Sequence, residues 1–179
     1  NFETGFNNTA LIVSDQNTFP GIDVARFGEN INTIADRATF EGTSVIEQID
    51  GACTMFERYY SVETIEGARR ATHYPYEAFR EAVANAVAHR TWDVNAKIRI
   101  AMHPNRIEIS SPGGLPAGLG RDEYLRGFIS QLRNPILANV LFRLNIIEMF
   151  GTGIVRIRSS YAEYEQKPEF DVSENAVRV

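Results

Sequence analysis

A single cysteine, Cys53, in 179 residues excludes an internal disulfide framework and any zinc site built on several thiolates. Histidine is nearly as scarce. His73, His89 and His103 fall on different expected elements without metal-ligand spacing, which argues against zinc held by imidazoles. No apolar run reaches the roughly 18–20 residues of a membrane span, and no secretory leader is expected. Positive charge is not in surplus: 18 Lys and Arg stand against 23 Asp and Glu, a formal net charge of −5. A free-standing nucleic-acid clamp would carry the opposite balance. Internal repeats, low-complexity tracts and long Pro/Gly/Ser linkers are also missing. What is present is an ordinary globular composition, 44% hydrophobic and 23% charged, sufficient for one cored domain with an appended segment. The chain opens on Asn1 rather than Met and reads as a piece of a longer, soluble, cytoplasmic protein.

Hydrophobic periodicity gives the expected elements. Ala10-Leu11-Ile12-Val13 reads as a short strand, and Phe19-Pro20-Gly21 as a turn. Ile22 to Phe27 alternates in part, and Asn32 to Phe40 suits an edge strand. Ser44 and Glu47 have capping-box spacing, and Val45, Ile49, Ala52, Cys53, Phe56 and Tyr60 share one face of a helix over 44–60. On that stripe Cys53 is a small core hydrophobe. A second, alanine-rich helix starts at Pro75 and runs to His89. A hairpin follows, with Lys97–His103 and Arg106–Ile109 alternating about a Pro104-Asn105 turn. Its register sets Met102 opposite Ile107 and Ile100 opposite Ile109. Asp122–Leu132 reads as a short helix. Asn134-Pro135 marks the N-cap of a helix so apolar that it must be either deeply buried or half of an interface, hence an expected homo-oligomer. Gly151-Thr152-Gly153 opens one more helix, and two short strands flank Ser173-Glu174-Asn175. The expected fold is α/β: a two-layer sandwich, helices on one face of a mixed sheet.

Within the second helix, Glu81, Asn85 and His89 recur every four residues. At about 100° per residue they drift some 40° per step and so form one polar stripe. Ala78, Ala84 and Ala88 beside it let a ligand or another helix come close. A carboxylate and an amide oxygen one turn apart suit a hard cation such as Mg²⁺, which keeps waters and phosphates as its other ligands. The stripe equally suits a solvated helix face. Gly113-Gly114 after a strand and Gly151-Thr152-Gly153 at a helix start are the kind of backbone that approaches phosphate closely, although either could be a plain turn.

The order of these features carries more than each alone. Glu-x-x-x-Asn on a helix, a hairpin, Pro-Gly-Gly, then Gly-Thr-Gly opening a helix resembles the Bergerat (GHKL-like) ATP-binding module of sensor histidine kinases, type II topoisomerases and related chaperones and mismatch-repair proteins. More closely, 74–164 resembles the helicase-related, ATPase-like C-terminal domain of bacterial and archaeal transcriptional regulators, which commonly follows a Schlafen/AlbA-type DNA-binding domain. The matching strings are Tyr74-Pro75, Arg80 to Arg90, Ile107 to Pro116, Ser130 with Arg133-Asn134-Pro135, and Ile147 to Ile154. Residues 9–60 resemble the connecting region of such proteins, so 1–60 is expected to link a preceding domain to an ATPase-like domain at 61–179.

The resemblance implies roles residue by residue. Asn85 would hold Mg²⁺, and Glu81 would activate water as the catalytic carboxylate. Gly151, Thr152 and Gly153 would form the second glycine box beside the phosphates of ATP, and Gly113 and Gly114 the first. His89, Ser111 and Arg133 complete the expected cofactor-binding set, with Arg133 either touching phosphate or capping a neighbouring helix. The sequence departs from the pattern at the adenine position. Ser111-Pro112-Gly113-Gly114 stands where an Asp-x-Gly-x-Gly string would supply an acid, so Ser111 offers only a neutral acceptor. A Gly-x-x-x-x-Gly-Lys-Ser/Thr phosphate loop is absent, so nothing here supports helicase action. Two readings stand: a nucleotide-binding or nucleotide-sensing module with at most weak ATPase activity, coupled to DNA through an upstream domain; or a non-catalytic dimerisation module with a degenerate site.

Overall fold

Period-two and period-3.6 patterns sort the chain into a sheet and a helical layer across the described residues, which in this computed structural model are 7–60, 64–65, 68–69, 74–127 and 131–179. The first element departs from expectation. Residues Asn8–Ile12 form a one-turn helix, α1, rather than a strand. Four apolar residues in a row carry no period of their own, and Asn7 Oδ1 settles the matter by accepting from the Ala10 N–H at 2.9 Å. Strands β1 (Ile22–Phe27) and β2 (Ile34–Phe40) pair antiparallel, with β2 at the sheet edge. Helix α2 (Val45–Tyr60) is capped by the Ser44 hydroxyl through the Ile46 N–H at 3.3 Å, a simpler arrangement than the reciprocal box its spacing suggests.

A separate two-stranded pair, β3 (Thr64–Ile65) and β4 (Ala68–Arg69), precedes α3 (Tyr76–His89), for which Pro75 serves as N-cap rather than first helical residue. The hairpin of β5 (Ile98–Met102) and β6 (Ile107–Pro112) has the expected register, Met102 opposite Ile107 and Ile100 opposite Ile109. Helix α4 (Arg121–Arg126) stops at Gly127, which turns the chain with φ 69° well before Leu132. Helices α5 (Pro135–Arg143) and α6 (Gly153–Ser160) and the short strands β7 (Asp171–Val172) and β8 (Ala176–Arg178) complete the chain.

The main sheet runs β2-β1-β5-β6-β8-β7. Neighbours are antiparallel except β1 and β5, which are parallel from Ile22↔Ile98 to Arg26↔Met102. Strand β1 therefore ties the segment before residue 60 into the same sheet as the hairpin. Val24, Ile98, Ile100 and Met102 point to the helical side and are at most 1% exposed. Burying each such side chain contributes about 1.5–3 kcal/mol. Above them α2 and α3 meet through Phe56 and Phe79, whose rings stack at 4.2 Å. The opposite face carries charge instead, with Asp23 paired to Arg37 and Arg178 paired to Glu108 and Asp171. The result is the expected mixed sheet with a helical layer.

Helix α5 is buried on one side only. Leu137, Ala138 and Leu141 are fully buried, whereas Ile136 is 56% and Leu144 50% exposed. No described helix is long and apolar enough to cross a membrane.

Candidate functional site

Three separately encoded strings converge on one cleft between α3, the loop leaving β6, and the start of α6. From α3 come Asn85 and His89; from β6 and its loop, Ser111, Gly113 and Gly114; from the α6 approach, Gly151 and Gly153. The cleft encloses about 1020 Å³ of empty space, open solvent at its mouth included. Its remaining walls are mostly apolar, among them Ala82, Ile109, Leu132, Ile154 and Phe170. An apolar slot with a few converging polar groups is the usual form of a small-molecule site. Glu81, Thr152 and Arg133 do not line it. Ser130 and His73 lie outside the described residues.

The polar stripe of α3 is anchored from within. Asn85 Nδ2 donates to Glu81 Oε1 at 3.0 Å. Glu81 is 7% exposed, and its other oxygen lies 3.7 Å from Arg156 Nε. Gly153 is pressed against this pair: a Cβ there would sit 2.5 Å from Asn85 Nδ2 and 3.0 Å from Glu81 Oε1. The glycine thus lets the α6 N-terminus close directly over the carboxylate, where helix polarity favours negative charge. Thr152 is the α6 N-cap but makes no side-chain cap bond. Arg156 also reaches Glu148 Oε1 at 3.6 Å, and Glu148 lines the cleft. Glu81 therefore sits beneath the cleft floor, covered by Gly153, and holds Asn85 so that its amide oxygen is the group left to offer.

Close approach also explains the first glycine pair. Gly113 has φ 96°, and a Cβ would fall 2.0 Å from Thr91 Oγ1. The Gly113 N–H already donates to the Asn175 carbonyl at 2.8 Å. A Cβ on Gly114 would meet the Glu174 carbonyl at 2.4 Å. These glycines seat the loop on the turn between β7 and β8. Ser111 is 6% exposed, and its hydroxyl donates to the Ala86 carbonyl at 2.8 Å, which leaves its lone pairs as the acceptor for anything in the cleft.

At the far end, burial, and secondarily the Arg133 charge, push the His89 imidazole below its ordinary pKa, so it is held neutral. Burial raises the Tyr124 phenol, which also lines the cleft, to about 12. Arg133 Nη2 donates to the Gly114 carbonyl at 2.7 Å, and its buried Nε has no hydrogen-bond partner among the described residues. Of the two roles expected of Arg133, neither a phosphate contact nor a helix cap describes this bond. Asn134 is the N-cap of α5, with Pro135 opening the helix as expected, but its side chain is used elsewhere. As the residue before Pro135 it makes no side-chain cap for α5; its Nδ2 donates instead to Ala88 and Arg90 carbonyls at 2.9 Å each, closing the C-terminus of α3. Gln131, Glu148 and Tyr124 also line the cleft and Arg156 braces it; sequence reasoning missed these four. Glu148 lies inside a string that was recognised, but no local spacing marks the others.

No described cluster of three His, Cys, Asp or Glu side chains could cage a metal. A Mg²⁺ ion held here would need phosphate oxygens and waters beside the single amide oxygen of Asn85, a mode that small cation accepts.

Residues 95–179, just under half of the chain, match the family described as "Putative ATP-dependent DNA helicase recG C-terminal". The sequence similarity to that family lies in this stretch. The match takes in Ser111, both glycine pairs, Thr152 and Arg133, and begins after α3, so Glu81, Asn85 and His89 fall before it. No curated protein matches the sequence. Among solved structures, the DIP2311 protein from Corynebacterium diphtheriae is similar over 97% of this chain, with a TM-score of 0.79 and 20% identity. The chain spans 36% of that protein's length. At this identity the likeness extends to the fold.

Proposed function

We propose that the cleft binds an adenine nucleotide, ATP or ADP, together with Mg²⁺, and that the module senses nucleotide state for an upstream DNA-binding domain of a transcriptional regulator. The observation that carries this reading is the convergence of Asn85, Ser111 and the two glycine strings on one apolar cleft. The ATPase-like match over 95–179 supports it. In this reading the base lies against the apolar walls, and the Ser111 lone pairs accept from an exocyclic amino group. The Asn85 oxygen is the protein's ligand to the ion, which would neutralise phosphate charge when bound. Residues 1–60 connect to the upstream, Schlafen/AlbA-type domain while lending β1 and β2 to the sheet of the sensing module at 61–179, in a cytoplasmic protein. Coupling requires that the nucleotide bind one of two arrangements more tightly than the other. Turnover is at most slow, because Glu81 is covered by Gly153 and held by Asn85 and Arg156.

A second reading, a homo-oligomeric interaction module with a degenerate site, is favoured by the occupied Gly113 N–H and by exposed Ile136 and Leu144. Thermal unfolding with Mg²⁺ and ADP, or a non-hydrolysable ATP analogue, separates the two. At about 100-fold above the dissociation constant, linkage adds about 2.7 kcal/mol. For a chain of this size the midpoint rises by roughly 5–11 °C. The rise should require Mg²⁺ and vanish in Asn85→Ala. No rise at millimolar nucleotide sinks the first reading. A change of association state on trimming Ile136 and Leu144 would then support the second.

A further inference from the structure

We infer that residues 131–134 are a strap that sets the width of the cleft by gripping its two walls, so that Gln131, Arg133 and Asn134 are positioning residues for the bound nucleotide. The inference rests on the nucleotide reading for its ligand, but the strap itself stands on the ligand-free geometry. One wall is the loop after β6. Gln131 Nε2 donates to the Ala117 carbonyl at 3.0 Å, and Arg133 Nη2 to the Gly114 carbonyl at 2.7 Å. The other wall is the end of α3. Asn134 Nδ2 donates to the Ala88 and Arg90 carbonyls at 2.9 Å each.

Every acceptor is a main-chain carbonyl. The strap therefore holds backbone positions, and backbone positions are what fix the distance from His89 on one wall to Gly113 and Gly114 on the other. The walls are also hinged at their base, where the Thr91 N–H donates to the Pro112 carbonyl at 2.9 Å. Two walls joined at a hinge and tied across by a strap leave little freedom in width. Each link bridges long sequence separations: 14 and 19 residues to the loop, 46 and 44 to α3. Neither wall would find this spacing from local preference alone.

The test has two independent readouts on the intact chain. Amide hydrogen exchange on the ligand-free protein should show faster exchange at Thr91 and Gly113 in Asn134→Ala and in Arg133→Met. Unchanged protection there in both variants overturns the strap, whether or not any nucleotide binds. The second readout is the Mg·ADP dissociation constant well below the unfolding midpoint, where a residue that merely stabilises the fold would not alter it. Asn134→Ala should weaken binding about tenfold, because it removes both hydrogen bonds that tie the strap to α3. The double variant Arg133→Met/Asn134→Ala should weaken it by less than the product of the single effects, since both cut one strap. Multiplicative losses, or an unchanged constant in Asn134→Ala, overturn the inference. Failure of the wild-type chain to bind Mg·ADP overturns the nucleotide reading, and the exchange data still decide the strap.

Discussion

Glu81 can be tested as a brace rather than a base, because the two roles respond oppositely to the same pair of substitutions. Glu81→Ala removes the acceptor for Asn85 Nδ2, a hydrogen bond to a charged group worth about 1.5–3 kcal/mol. It also removes the contact with Arg156, which at 3.7 Å and with Arg156 46% exposed adds at most about 0.5–1 kcal/mol. Better helix propensity returns a few tenths. The net loss is about 1–4 kcal/mol, a fall of roughly 2–15 °C in the unfolding midpoint. Glu81→Gln keeps an oxygen that can accept from Asn85 and loses only the charge, so the loss is about 1 kcal/mol. If Glu81 holds the Asn85 amide oxygen toward the cleft, Glu81→Gln leaves Mg·ADP affinity within about threefold, and Glu81→Ala weakens it about tenfold. Calorimetric titration alongside thermal melts reads both quantities. Wild-type affinity in Glu81→Ala would refute the brace. A Glu81→Gln variant that binds normally yet loses 10²-fold or more of a measurable wild-type turnover would make the carboxylate a general base after all.

Two further outcomes follow from the same geometry. Gly113→Ala combines a positive φ with a Cβ placed 2.0 Å from Thr91 Oγ1, and should cost about 2–4 kcal/mol in chemical denaturation. Gly118→Ala, also at positive φ but with open space around it, should cost only about 1 kcal/mol, and equal losses would show that crowding at Thr91 is unimportant. The folded His89 pKa lies below its ordinary 6.5, so the unfolded chain takes up the proton first as pH falls. Its contribution to stability is complete above pH 6.5 and is lost on acidification toward the folded pKa. Denaturation at a series of pH values should show a shallower decline between about pH 7 and 5 in His89→Gln. Part of the slope will remain, because burial depresses His103 in the same direction; an unchanged slope would refute the His89 assignment.

Legibility in the sequence tracked how local each determinant was. The β5–β6 register was plain because alternation and a two-residue turn leave one pairing that buries Ile98, Ile100 and Met102 together. The cleft was legible as a set of strings in order, since each string keeps its own spacing whatever it packs against. Asn134 is the N-cap that its neighbour Pro135 marks, but its side-chain partners are not legible locally, since those carbonyls lie 44 and 46 residues upstream. Glu81 had the right spacing for chemistry at the cleft, yet its burial depends on α6, seventy residues later, closing over it through Gly153. The α1 segment failed for a different reason: a one-turn helix capped by Asn7 is too short for any period to show.

The parallel pairing of β1 with β5 bears on how the molecule could be divided. The stretch that matches the ATPase-like family begins at residue 95, three residues before β5, and so leaves out both β1 and α3. Cut there, β5 would become an exposed edge with unpaired amides, and its Ile98, Ile100 and Met102 would lose their helical cover. Such a fragment would recruit strands from other copies of itself. The family-matched stretch thus omits a strand of its own sheet, one that lies some seventy residues upstream.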